Sequence, residues 1–417
     1  MKINLKKILP ASVMDMGCLT AAFGIYLIVQ QLFLMPCFAL RLSEDDFAFV
    51  ILFVTGFNIA GSVLGEECGN TLLIKATSYK KSGMSAVGDV SKILFSGGGI
   101  LFFLFLAVKV FFSCSWLLWT ACAGVTLLCA GRFYIAACYR LRQEFTYVLY
   151  MNIIYATGLL FGVLGFIFFH IHWIIVFIAG EAAVQLFAVI DKFRRSVEFI
   201  RVRGGRSEKF AETVNSYLKL AVIAAVLLTA GNFERFILFN HLDALSLNVF
   251  YAVSVCSKMI LFIGNPLYSY LLAKFSGCDK SDQNALLKKT LKYTSAAVPF
   301  IIVGAWVFSY IGLRLLYPDY LAAGKELLLP LALVSGLGFA GTVFRPLVMR
   351  FSSQTLLMFN TLIYGSVLWG STVFGCHVAH LQGAVWALVF SQIIFVAGLF
   401  FIAVLKSGKS ADITKVL

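Results

Sequence analysis

Twelve apolar runs of about twenty residues follow one another along the chain, and no other feature narrows its fold as far. A helix needs roughly 20 residues to cross the ~30 Å hydrocarbon layer. Lipid-exposed backbone must also satisfy its own hydrogen bonds, which leaves the α-helix as the conformation open to such runs. Cutting the sequence at its polar punctuation gives spans 14–40, 47–73, 93–112, 115–138, 145–169, 173–190, 215–239, 247–272, 293–312, 326–348, 355–375 and 383–405. Composition agrees: the 417 residues are 60% hydrophobic and 13% charged, with mean hydropathy +0.91. That charged share is half the usual one. No soluble core absorbs so much apolar surface, because burial saturates as domains grow. The expected class is an all-α integral membrane protein.

Lys2, Lys6 and Lys7 precede the first run as they would in a signal peptide, but the run continues to Leu40 and reads as a retained span. Basic residues then crowd into alternate connections. If the amino terminus is cytoplasmic, 25 of the 34 Lys and Arg fall on the inner side, and only Arg41, Lys109, Arg314 and Lys325 on the outer. This bias predicts a multi-pass protein of the bacterial cytoplasmic membrane with both termini inside. It also assigns the net charge of +14 to topology, so no nucleic-acid partner is expected. The most basic connection, 191–214, separates an amino-terminal lobe (1–190) from a carboxy-terminal lobe (215–417), six spans each. It reads equally as a bridge touching anionic headgroups and as a charged stop in the cytosol. RLSEDDF (41–47) and HLDALSLNVFY (241–251), each leading into an apolar aromatic helix, hint at a two-lobe repeat. The ten cysteines form no CxxC pair and read as small packing residues.

Charges inside a span cost about 2.5–3.5 kcal/mol to insert and so face a cavity or a partner. Lys258 lies mid-span with Tyr251, Ser254 and Asn265 on its helical stripe, and Thr55, Asn58, Ser62 and Glu66 form a second polar stripe. Two readings stand for Lys258: an anchor for an anionic substrate group, or a lysine neutralised by Glu181 or Glu66. Arg235 follows Glu234 directly, and adjacent helical residues diverge by about 100°, so each needs its own partner. Arg235 suits a phosphate, since its planar fork donates two parallel hydrogen bonds; snorkelling to the interface is the alternative. Arg132 and Arg345, near expected inner helix ends, are expected to snorkel. Glu66, Glu67, Glu181 and Glu234 are the carboxylates available for ion coupling, and a packing role is the alternative.

The five histidines fall at expected outer edges, and His377 with His380 could share a helical face, although a metal is not expected. The triple glycine 97–99 sits inside a helical run, where close packing explains it. No Walker motif, nucleophile elbow or zinc signature is present. Outer connections are too short to hold the catalytic loop a glycosyl polymerase or ligase needs. A transporter without a cofactor is the expected class.

Four stretches carry a family likeness: FALRLSEDDFAFVILFVTGFNIAGSVLG (38–65), NFERFILFNHLDALSLNVFYAVSVCSKM (232–259), LRLLYPDYLAAGKELLLPLALV (313–334) and HLQGAVWALVFSQI (380–393). They resemble the polysaccharide flippases of the multidrug/oligosaccharidyl-lipid/polysaccharide exporter superfamily, with Glu234-Arg235 where that family has Asp-Arg. The resemblance implies a MATE-like fold of two six-helix lobes around a central cavity. It further implies alternating access, coupled to protons or sodium. The implied cargo is an undecaprenyl-pyrophosphate-linked oligosaccharide destined for O-antigen, capsule or exopolysaccharide, with polysaccharide polymerase machinery and membrane lipids as partners. The substrate-contacting residues would be Lys258, Arg235, Asn58, Ser254, Asn265 and Tyr251. A drug/cation antiporter of the same superfamily is the main rival and would favour a cavity rich in acids. A lipid II flippase would have about fourteen spans, and a membrane polymerase or ligase would need a large outer loop.

Overall fold

The computed structural model describes residues 9–81, 86–109, 115–195, 207–230, 232–259, 267–268, 271, 283–352 and 354–408. Among them there is no β-strand. Helix α1 begins as Leu9–Ile28 and continues through a wide π-helical turn, Val29–Leu34, into Met35–Ala39. Helix α2 repeats the device, with Glu44–Gly61, a π turn at Ser62–Glu66, and Glu67–Lys81. Then come α3 (Ala86–Val108), α4 (Trp116–Leu141), α5 (Phe145–Phe169), α6 (Trp173–Arg195), α7 (Phe210–Ala230) and α8 (Phe233–His241). The order closes with α9 (Ala244–Met259), α10 (Gln283–Leu316), α11 (Leu328–Phe351) and α12 (Gln354–Gly408). Nine helices among the described residues are long and apolar enough to cross a membrane, making this a multi-pass membrane protein. Many of their Phe, Leu and Ile side chains stay exposed, among them Phe103, Phe161 and Phe300. In a soluble molecule such surface would be a liability; against acyl chains it is the solvated face.

Three expected spans differ from what the structure shows. The seventh (215–239) is one run in the sequence but two helices, broken where Asn232 adopts φ −134°, ψ 5°. The eleventh and twelfth (355–375 and 383–405) are joined in α12, which leaves helical geometry at Ala379 and at His380, φ 49°. Four pairs run antiparallel on either side of that kink. Asn360 Nδ2 donates to the Phe395 carbonyl at 3.2 Å, Gln392 Nε2 to the Tyr364 hydroxyl at 2.8 Å, and the Ser371 and Ser391 hydroxyls lie 3.1 Å apart. Nearest the kink, a Cβ on Gly375 would strike the Gly383 carbonyl, and one on Gly383 would strike that of Gly375. The chain therefore turns back on itself at His380, and α12 holds two passes.

By internal packing the chain forms two compact units, residues 1–41 with 52–229, and residues 42–51 with 230–417. In the first unit, α5 and α6 pair along their lengths, α1 lies on α5, α4 packs on α6, and α2 packs on α4. That last contact is close because Gly61, Gly65 and Gly69 recur at every fourth residue and turn one bare stripe of α2 toward Cys129, Ala130 and Ala137 of α4. In the second unit, α10 packs on α11, α11 on α12, α9 on α10, and α8 on α12. The start of α2 belongs here: Asn248 Nδ2 donates to the Glu44 carbonyl at 3.0 Å, and Phe47 meets Tyr251 edge-on at 6.0 Å.

Candidate functional site

The break before α8 places Glu234 in the first turn of a new helix, where the unpaired N–H groups and the helix dipole favour a carboxylate. Lys258, on α9, donates to Glu234 Oε1 at 2.6 Å. The two are unequally buried: 4% of the Glu234 side chain is accessible against 28% for Lys258. So the ammonium can exchange its partner for another anion while the carboxylate stays enclosed. The neighbouring residue, Arg235, diverges as helical geometry requires and holds its guanidinium 5.2 Å from the centre of the Tyr251 ring. The remaining groups of the α9 stripe are enclosed: Tyr251 is buried, and Ser254, also buried, returns its hydroxyl to the Tyr251 carbonyl at 3.1 Å. The Ser254 hydroxyl is thus tied back to its own helix. Asn265 lies outside the described residues.

The first unit holds a second cluster. Arg132 of α4 directs Nε to both oxygens of Glu181 on α6, at 3.1 Å each, with 3% and 0% of the two side chains accessible. Tyr155, Phe133 and Tyr26 place their rings 4.2, 4.7 and 5.3 Å from the guanidinium carbon. The snorkelling expected of Arg132 is therefore corrected: a sequestered carboxylate within reach outweighs the distant interface. The partners expected for Lys258 are corrected as well, since Glu181 is taken by Arg132 and the lysine pairs with Glu234. Asn58 accepts from the Tyr26 hydroxyl at 3.1 Å and donates to the Val54 carbonyl at 2.8 Å. Glu66, closing the π turn of α2, accepts from Ser62 at 2.7 Å, and Glu67 accepts from Asn70 at 3.1 Å. A cavity of about 110 Å³ within this unit is lined by Tyr26, Glu66, Arg132, Arg140 and Asn152. Glu66 and Arg132 thus share a cavity, which no spacing in the sequence signals.

Other polar groups escaped sequence reasoning. Gln30 is fully buried in the π turn of α1, and neither of its amide atoms has a partner among the described residues. Its signal was a lone amide pair, Gln30-Gln31, inside an apolar run. At the basic end of the first unit, the Tyr79 hydroxyl donates to Asp89 at 2.8 Å, Ser207 donates to the same carboxylate, and Lys209 donates to the Ser78 carbonyl at 2.9 Å. This network fastens the start of α7 to the α2–α3 corner. His377, which could have shared a helical face with His380, meets His241 at 5.4 Å between ring centres, and the kink at Ala379 and His380 interrupts that face. No group of three or more metal-ligating side chains occurs among the described residues.

Comparison with solved structures covers almost the whole chain. An inward-facing conformation of a multidrug resistance MATE family transporter of the MOP superfamily superposes with TM-score 0.71 at 12% identity, over 95% of this chain and 98% of that one. An outward-facing conformation of such a transporter gives TM-score 0.67 at 10% identity, over 97% and 96%. A MATE in complex with MaD3S gives 0.67 at 10% identity, over 97% and 96%. The fold is MATE-like. No protein-family model matches the sequence, and no curated protein does. Within the MATE-like fold, the α8–α9 cluster carries an exposable cation and an acid in one ion pair. The α4–α6 pair is sealed.

Proposed function

We propose that this protein is a transporter of the bacterial cytoplasmic membrane, both termini inside, that moves a polyprenyl-pyrophosphate-linked oligosaccharide between leaflets during surface polysaccharide assembly. The observation that carries the reading is the Lys258–Glu234 ion pair beside Arg235, set at a broken helix within a membrane fold. Two cations on adjoining helices suit a pyrophosphate, one as a mobile point charge and the other as a bidentate fork. Glu234 and the phosphate would compete for the one ammonium of Lys258, so Glu234 is the carboxylate we assign to coupling. The likeness to both inward- and outward-facing transporters supports alternating access, and the family resemblance of residues 232–259 supports the cargo.

Complementation of a flippase-deficient strain tests it. Wild-type protein restores surface polysaccharide, while Arg235→Ala and Lys258→Ala each lower the initial rate of its appearance about tenfold to a hundredfold, the scale of one lost charge-assisted bond. Full restoration by both variants, at normal protein levels, defeats the reading. A second reading, drug/cation antiport, is favoured by the buried acid Glu234 and by the multidrug resistance transporters that share the fold. It predicts resistance to cationic drugs that Glu234→Gln abolishes, with no restored polysaccharide.

A further inference from the structure

The second unit contains a cavity of about 270 Å³ that the transport reading does not use. One face of α10 lines it through Leu286, Lys289, Thr290, Tyr293, Thr294 and Ala297, and α11 closes it with Phe339 and Val343. Polarity is graded along the helix. At its start Lys288, Lys289 and Lys292 are all exposed, and Lys289 holds its ammonium 6.0 Å from the centre of the Tyr293 ring. One turn deeper, Thr294 is 4% accessible, and its hydroxyl has no hydrogen-bond partner among the described residues. Threonines within helices commonly return that hydroxyl to a carbonyl one turn back. This one lines the cavity instead, a buried polar group with its hydroxyl unmet where the wall turns apolar toward Ala297, Phe339 and Val343.

We propose that this groove holds one anionic phospholipid, its phosphate against Lys289 and one chain along Ala297, Phe339 and Val343. Charge complementarity selects the head, since Lys289 lines the groove and the exposed Lys288 and Lys292 add positive charge on the same turn of helix. Spacing fits the glycerol region: Lys289 and Thr294 are five residues apart, about 7.5 Å of helix rise, so the Thr294 hydroxyl meets an ester carbonyl as donor. The deep wall at Ala297, Phe339 and Val343 offers no polar atom for sugar hydroxyls, which suits an acyl chain instead.

The test uses the full chain in detergent, exposed to equal phosphatidylglycerol and phosphatidylcholine and read by native mass spectrometry. One tightly held phosphatidylglycerol per chain is expected. Lys289→Gln lowers its occupancy about fivefold, the equivalent of ~1 kcal/mol for a lysine near the surface, and leaves phosphatidylcholine unchanged. Ala297→Trp fills the groove and removes the held lipid; Thr294→Val, which keeps the fold's volume, weakens it if the tryptophan variant does not elute as a single species. Lys325→Gln, exposed and outside the groove, changes nothing. Equal retention of both lipids, retention by Ala297→Trp, or displacement by inorganic phosphate would each overturn the proposal. So would displacement by an equimolar polyprenyl phosphate, which would assign the groove to the carrier lipid.

Discussion

Arg132 and Glu181 are each tolerable in the first unit only because of the other. A buried charge stripped of its partner commonly costs about 3–5 kcal/mol, whereas replacing both partners with apolar groups of similar volume is often neutral. Glu181→Gln and Arg132→Ala are therefore expected to lower the yield of monodisperse protein sharply, measured by fluorescence-detected size exclusion. The double variant Arg132→Met/Glu181→Leu should recover most of it. Recovery no better than either single variant would mean that the pair does more than neutralise itself. Glu234→Gln tests the other pair with a different outcome: Lys258, 28% accessible, keeps its hydration, so the yield of monodisperse protein should stay near that of the wild type. The sequence displayed all four charges and the reason they matter. Which acid meets which base was not legible, because Arg132 and Glu181 are 49 positions apart and nothing local records their meeting. Lys258 and Glu234, 24 apart across one turn, were the easier pair to foresee, yet the turn's register decides it.

Helix positions were legible to within a few residues wherever apolar runs ended in charge or turn residues: α5 coincides with its expected bounds. Interruptions inside runs were not, since the few polar residues at the π turns of α1 and α2 and around Asn232 are too sparse to end a span-length apolar run. The α2–α4 contact was available in principle from the Gly61, Gly65, Gly69 spacing. Gly65→Val should destabilise this contact by at least the ~1–3 kcal/mol typical of overpacking, because the obstruction is the Ala130 backbone, which has no rotamer to yield. A thermal shift assay would show it, and an unchanged transition would deny the contact. At the start of α9, Asp243 accepts the Ser246 N–H at 2.7 Å, and hydrogen bonds from Ser246 hold its carboxyl below the ordinary 3.8. A lowered folded pKa stabilises fully above the unfolded value and fades as pH falls through the folded one. Asp243→Ala should thus cost about 1 kcal/mol at neutral pH, as lost caps do, and progressively less below pH 4, as followed by acid-dependent melting.

For the molecule as a whole, topology turns on α12. Fifty-five residues of uninterrupted helix would extend about 80 Å at 1.5 Å per residue, far more than the ~30 Å hydrocarbon layer. The non-helical backbone at Ala379 and His380, with Gly375 and Gly383 in mutual backbone contact, folds that length into a hairpin of two span-sized halves. Two passes return the chain to the side it left, so Ser352 and Gly408 fall on the same side of the membrane. Charge bias expects that side to be the cytoplasmic one, where it places the basic segment at the end of the chain. Reporter fusions truncated after Ser352, His380 and Gly408 separate the possibilities. If α12 is a hairpin and both termini are cytoplasmic, fusions at 352 and 408 fluoresce as cytoplasmic green fluorescent protein, and only the fusion at 380 activates periplasmic alkaline phosphatase. A cytoplasmic signal at all three would mean that the hairpin re-enters without crossing. A periplasmic signal at 408 would mean a single tilted pass, which the antiparallel pairs Asn360–Phe395 and Tyr364–Gln392 forbid.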